Sequence, residues 1–137
     1  ASSLLKMYTL GRDFNPPGIR ASGMRYHGVS PIVSALYQQG DVEAITHKQN
    51  DAFSAAVGFA RAEGIVPSPE SAYAIKAVID EALACKQNGE RKNILFVVTG
   101  NGNIDTGIFT DFLKGTVQDQ EFPDIDIKPA FPEMEEK

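Results

Sequence analysis

The stretch ILFVVTGNGN, residues 94–103, decides the fold class. Ile94-Leu95-Phe96-Val97-Val98 is a continuous apolar run rather than an alternation, the pattern of a strand covered on both faces. Thr99 ends the run, and Gly100-Asn101-Gly102-Asn103 turns the chain toward a helix predicted over about residues 105–114. A strand that ends in a glycine-rich turn before a helix is where open α/β folds place ligands. Glycines let backbone N–H groups approach a bound anion or ring, and the N-terminus of the next helix favours negative charge. A tight turn that binds nothing has the same local pattern, so the residues alone leave both readings open. Neither the P-loop nor the full dinucleotide fingerprint is present.

Outward from this run, helices dominate. Ser68 is a good N-cap, Pro69 suits the first helical position, and Ala72, Ile75, Val78, Ile79, Ala82 and Leu83 form one apolar stripe ended by Asn88-Gly89. Further upstream, Asn50 or Asp51 is expected to cap a helix with Phe53, Ala56, Val57 and Ala60 on one face, ending at Gly64. Ser30-Pro31 opens another, carrying Ile32, Val33, Leu36 and Tyr37 and stopping at Gly40. Residues 41–47 alternate and read as a short strand. The order helix, strand, helix, helix, strand, helix predicts the α/β class, with helices covering a small sheet. Two strands are too few for a stable sheet. Either the N-terminal arm adds one or another polypeptide does, which points to part of a larger protein.

Three segments are expected: an extended arm over 1–28, an α/β domain over 29–115 and an acidic, irregular tail over 116–137. The arm carries Gly11, Pro16, Pro17, Gly18, Gly23 and Gly28 without periodicity, and loops this long are usually functional or packed on something else. The tail holds Asp119, Glu121, Asp124, Asp126, Glu133, Glu135 and Glu136 against Lys128 and Lys137, so it carries the whole net charge of −5. The neutral remainder offers no basic stripe for a phosphate backbone, and nucleic acid is not an expected partner. A length of 137 residues, 42% hydrophobic and 23% charged, fits one globular domain. No apolar stretch reaches the about 18 residues that cross a bilayer. No signal peptide is visible, and Cys85 as the single cysteine suits a reducing compartment, so the cytoplasm is expected.

Two further positions could carry chemistry. Glu70 lies in the first turn of the helix that follows Ser68, where a carboxylate already interacts favourably with the helix dipole; its functional reading has it face the same pocket as Thr99. Asp13, in LGRDFNPPGI (10–19), is a substrate contact or a turn residue bonding its own backbone. His27, His47 and Cys85 show no metal-ligand spacing, and no G-x-S-x-G elbow is present.

Three motifs in this order, YTLGRDFNPPGIRASGMRYHGVSP (8–31), EGIVPSPESAYAI (63–75) and ILFVVTGNGNID (94–105), resemble the C-terminal part of the tryptophan synthase beta chain. The stand-alone, second-type chains of that family look most similar, over about residues 4–122. The resemblance implies part of the large domain of a fold type II pyridoxal-phosphate enzyme, with a three-layer helix/sheet/helix arrangement. It implies that the Thr99 hydroxyl, where the family usually has serine, bonds the pyridine nitrogen of the cofactor. Such a neutral hydroxyl does not enforce a protonated ring, which favours β-elimination and replacement over transamination. Glu70 and Gly100 are implied beside the cofactor ring and Asp13 at the substrate. Phe14 and Pro16 are implied to hold a monovalent cation through their backbone carbonyls. Asn101 departs from a basic or histidine residue often found there.

The family's Schiff-base lysine and its Gly-Gly-Gly-Ser-Asn phosphate loop are not in this sequence, and covalent cofactor chemistry needs an activated amine. The expectation is therefore a portion of an enzyme that condenses L-serine with indole, inactive alone, with the missing N-terminal segment as partner and homo-oligomerisation as a further expectation. A small α/β ligand-binding or interaction module without catalysis is the alternative.

Overall fold

Ser68-Pro69 starts the longest helix, as its capping residues demand. The structure, a computed structural model, describes residues 6–11 and 13–121. Helix α1 spans Pro31–Gln39, α2 Gln49–Glu63, α3 Pro69–Asn88 and α4 Thr106–Leu113, with 3-10 turns at Ser22–Met24 and Gly102–Ile104. In α3 the Ser68 side chain accepts the Ser71 N–H at 3.3 Å, Pro69 sits where no donor is needed, and Gly89 closes the helix at φ 71°. Ser68→Ala is expected to cost about 1 kcal/mol, read as a lower midpoint in urea titration of the chain.

The start of α2 differs from the expected one. Lys48 occupies the cap position without a side-chain cap bond, and Asn50 and Asp51 lie inside the first turn. The first-turn donor is satisfied from far away: Asp119 Oδ1 accepts the Asn50 N–H at 3.0 Å. The Asn50 side chain in turn donates to the Val117 carbonyl at 3.2 Å, fastening the chain after α4 to α2.

Two compact units result. The larger comprises residues 18–24 and 45–120, with α2, α3 and α4. Its core is Ala52, Phe53 and Ala56 of α2, Ala72 of α3, and Val117, with Tyr73, Ile108, Phe109 and Phe112 packed against it. Alanines at the α2–α3 contact let the axes approach closely. The fully buried Phe53 ring meets Phe109 and Phe112 edge-on, each at 5.9 Å between centroids. The smaller unit comprises described residues of 6–17 and 25–44, with Glu121. There 8–10 run antiparallel to 27–29, through Leu10 N–H to the His27 carbonyl and Val29 N–H to the Tyr8 carbonyl, both at 2.9 Å. The Tyr8 N–H donates to the buried Ser34 hydroxyl of α1, and the Tyr8 ring meets Tyr37 edge-on. The expected apolar face of α1 is largely exposed: Ile32, Val33 and Tyr37 are all open to solvent.

The expected sheet does not form among the described residues, which hold α-helices, 3-10 turns and two isolated bridges, Thr9–Gly28 and Pro67–Asn101. The predicted strand over 41–47 is irregular. Residues 94–98 are not a strand either, although they alternate in burial: Ile94, Phe96 and Val98 are half-buried, while Leu95 is 95% and Val97 64% exposed. Phe96 rests edge-on against Phe59 of α2 at 6.1 Å. An apolar run sets which faces want cover, but a ladder needs a neighbouring backbone about 4.8 Å away. Among the described residues none is offered to 94–98, so the helix/sheet/helix layering is replaced by helices with an uncovered extended segment. Of the acidic tail, 122–137 lie outside the described residues. Among those described, no helix is long and apolar enough to cross a membrane.

Candidate functional site

The segment leading into α3 and the glycine turn are joined residue by residue. The Ser68 N–H donates to the Gly100 carbonyl at 3.1 Å, and the Gly102 N–H to the Val66 carbonyl at 2.9 Å, flanking the Pro67–Asn101 bridge. Both glycines are required by space. A Cβ on Gly100 would lie 2.6 Å from Ser68 Cβ, and one on Gly102 would lie 2.1 Å from the Pro67 carbonyl oxygen. The Asn101 side chain accepts the Asn103 N–H at 2.9 Å, so it serves the turn itself.

Thr99 sits at the head of this junction. Its N–H donates to Ser71 Oγ at 3.1 Å, and its hydroxyl lies 3.4 Å from that same oxygen. Ser71 Oγ lies 3.0 Å from Ser68 Oγ, and both serines are buried while Thr99 is exposed. One residue before Ser71, the half-buried Glu70 accepts the Gly23 N–H on Oε1 at 2.8 Å. Its carboxylate therefore meets both the positive end of the α3 dipole and a backbone donor of the 18–24 segment. Gly23 leaves little room for anything larger, since a Cβ there would stand 2.9 Å from that oxygen. Burial first, then the charges of Asp119 and Glu70, raise the Tyr73 phenol above its ordinary pKa, so it stays neutral through the physiological range.

Thr99, Gly100 and Glu70, singled out from two separate motifs, are thus brought to one loop–helix junction. Asp13, Phe14 and Pro16 belong to the other unit. Phe14 donates its N–H to the Gly11 carbonyl at 3.4 Å. The Pro16 carbonyl accepts from the Arg25 guanidinium at 3.2 Å, which leaves one lone pair for another partner. Ser71, Ser68 and Gly23 were not singled out for the site by the sequence. A signal for the serines existed in the S-x-x-S spacing at the start of α3, but helix capping accounted for it completely. Chemically, the junction presents a neutral hydroxyl, a carboxylate and close-packed backbone.

No family model matches the chain. Curated relatives do. The tryptophan synthase beta chain 2 of Aquifex aeolicus is 55% identical over 116 residues, 85% of this chain. That of Methanosarcina acetivorans is 54% identical over 112 residues, and that of Pyrococcus abyssi 48% over 124, or 82% and 90% of this chain. The chain is homologous to a C-terminal portion of tryptophan synthase beta chains. It spans about a quarter of the length of these relatives, 27%, 25% and 28% respectively. An alignment over 116 of the 137 residues necessarily includes Glu70, Ser71 and Thr99, and with them both sides of the Thr99–Ser71 junction.

Proposed function

We propose that this chain supplies one wall of the cofactor site of a tryptophan-synthase-type enzyme, which joins L-serine and indole by β-replacement, and that it is inactive by itself. The observation that supports the reading is the Thr99–Ser71 junction, where Thr99 is tied to the helix turn that bears Glu70 across close-packed glycines, within the stretch that aligns with the beta-chain relatives. Pyridoxal phosphate, when bound, supplies the electron sink for this chemistry. Thr99 is assigned to its pyridine nitrogen as a neutral donor, Glu70 and Gly100 to the side of the ring, and Asp13 to the substrate. Phe14 and Pro16 are the candidate carbonyl ligands of a monovalent cation, Pro16 through the lone pair that Arg25 leaves open. The amine and the phosphate loop come from the remaining portion of the enzyme. The exposed Leu95 and Val97 mark where that portion adds backbone and cover to the extended segment.

The test is complementation. The N-terminal three-quarters of a homologous beta chain, produced separately, is mixed with this chain and pyridoxal phosphate, and tryptophan formation from serine and indole is followed. Activity in the mixture and none in either part is expected. Turnover by this chain alone, or no complex in sedimentation, overturns the reading. Leu95→Glu is expected to leave the stability of the isolated chain within about 0.5 kcal/mol, because Leu95 has almost no neighbours to lose, while abolishing the complex. If the variant complements as well as the parent, the segment is not the docking strand.

A further inference from the structure

Three hydroxyls in a row, Ser68, Ser71 and Thr99, have only a few ways to share their protons. Each hydroxyl has one proton to give and two lone pairs to fill. Ser68 Oγ accepts the Ser71 N–H at 3.3 Å, and Ser71 Oγ accepts the Thr99 N–H at 3.1 Å. Ser68 is buried, and among the described residues the acceptor its own proton reaches is Ser71 Oγ, at 3.0 Å. Giving its proton there satisfies Ser68 and fills the second lone pair of Ser71. Ser71 then has no capacity left to accept, and its one proton has a single remaining destination, Thr99 Oγ1 at 3.4 Å. With Thr99 Oγ1 accepting from Ser71, the Thr99 proton turns away from the serines. The opposite direction, Thr99 to Ser71 to Ser68, strands the Ser68 proton in a buried site without an acceptor, which native interiors avoid.

We infer that Ser68 and Ser71 are positioning residues that turn the Thr99 proton outward, toward whatever group faces it. An outward proton is ready for a ligand atom with a free lone pair, such as an unprotonated ring nitrogen, a carbonyl or a phosphate oxygen. The inference rests on the reading of Thr99 as a cofactor contact and deepens it: the hydroxyl is held ready to donate before anything binds. It also gives Ser68 a duty beyond capping α3, because the direction of the whole row starts from its proton.

Neutron diffraction from crystals of this chain grown in D2O locates the three deuterons. The expected result is one deuteron on Ser71 Oγ directed at Thr99 Oγ1, with the Thr99 deuteron in a single position pointing away from Ser71. A Thr99 deuteron on the line to Ser71 Oγ overturns the inference. In Ser68→Ala the constraint is removed, and the Thr99 deuteron is expected to split between the outward and the Ser71-facing positions. If it keeps the single parental position in that variant, Ser68 does not set the direction and the inference fails. Deuteron positions do not depend on complementation, so failure of the proposed function and failure of this inference are told apart.

Discussion

Replacing Gly102 by alanine is expected to lower the stability of the chain by about 3 kcal/mol, seen as a fall in Tm of roughly 10 °C. The methyl group would start 2.1 Å from the Pro67 carbonyl oxygen, 2.8 Å from its carbon and 2.8 Å from Val66 Cγ1. Two of these atoms are backbone, so no side-chain rotation relieves the overlap. Residues 66–68 and 100–102 must separate, and the bonds from Gly102 N–H to Val66 and from Ser68 N–H to Gly100 go with them. Because Thr99 is tied to Ser71 two bonds further along the same junction, faster amide exchange at Thr99 should accompany the loss. Gly107→Ala is the control, since a Cβ there meets nothing within 4 Å. Equal effects at the two glycines would mean that residues 66–68 and 100–102 do not pack as described.

Phe53→Ala is expected to be comparably severe, at about 3–5 kcal/mol. Phe53 is the largest side chain buried completely in the core, and both aromatic rings of α4 pack edge-on against it. Its removal leaves Phe109 and Phe112 without their common partner, and α4, which buries no residue of its own, has little else to hold it on α2. Against a typical net stability of about 5–15 kcal/mol, this loss should broaden or abolish cooperative thermal unfolding followed by circular dichroism. Phe53→Leu keeps most of the volume and should cost only about 1–2 kcal/mol. A Phe53→Ala chain that unfolds as sharply and as late as the parent would place the core elsewhere.

Both predictions fall in the unit whose helices the sequence announces best, and the reason is local. The ends of α3 follow from Ser68, Pro69 and Gly89, whose effects act within one turn of the residue itself. The start of α2 departs from the local pattern because the partner of its first turn, Asp119, lies 69 residues from Asn50, and no local pattern encodes that encounter. In α1 the apolar spacing of Ile32, Val33 and Tyr37 correctly marks a face, yet the face stands exposed. Periodicity states that one side seeks cover without naming what covers it. The same limit applies to 94–98. Its composition asks for a sheet interior, and a sheet is a property of several segments.

The candidate site divides in the same way. Thr99, Gly100 and Glu70 were legible as residue types in suggestive turns, and homology to tryptophan synthase beta chains reaches them all. Their meeting was not legible, because it depends on Ser71, 28 residues from Thr99, and on Gly23, 47 residues from Glu70. By itself, the sequence determined the helices, their glycine stops and the motifs that carry the family likeness, all of them interactions spanning a few residues. Only the tertiary structure decided that 94–98 finds no strand partner among the described residues, that Asp119 caps α2 and that two serine hydroxyls line up behind Thr99. Those outcomes rest on atoms remote in sequence coming within hydrogen-bonding distance, and packing rather than local preference determines which of them meet.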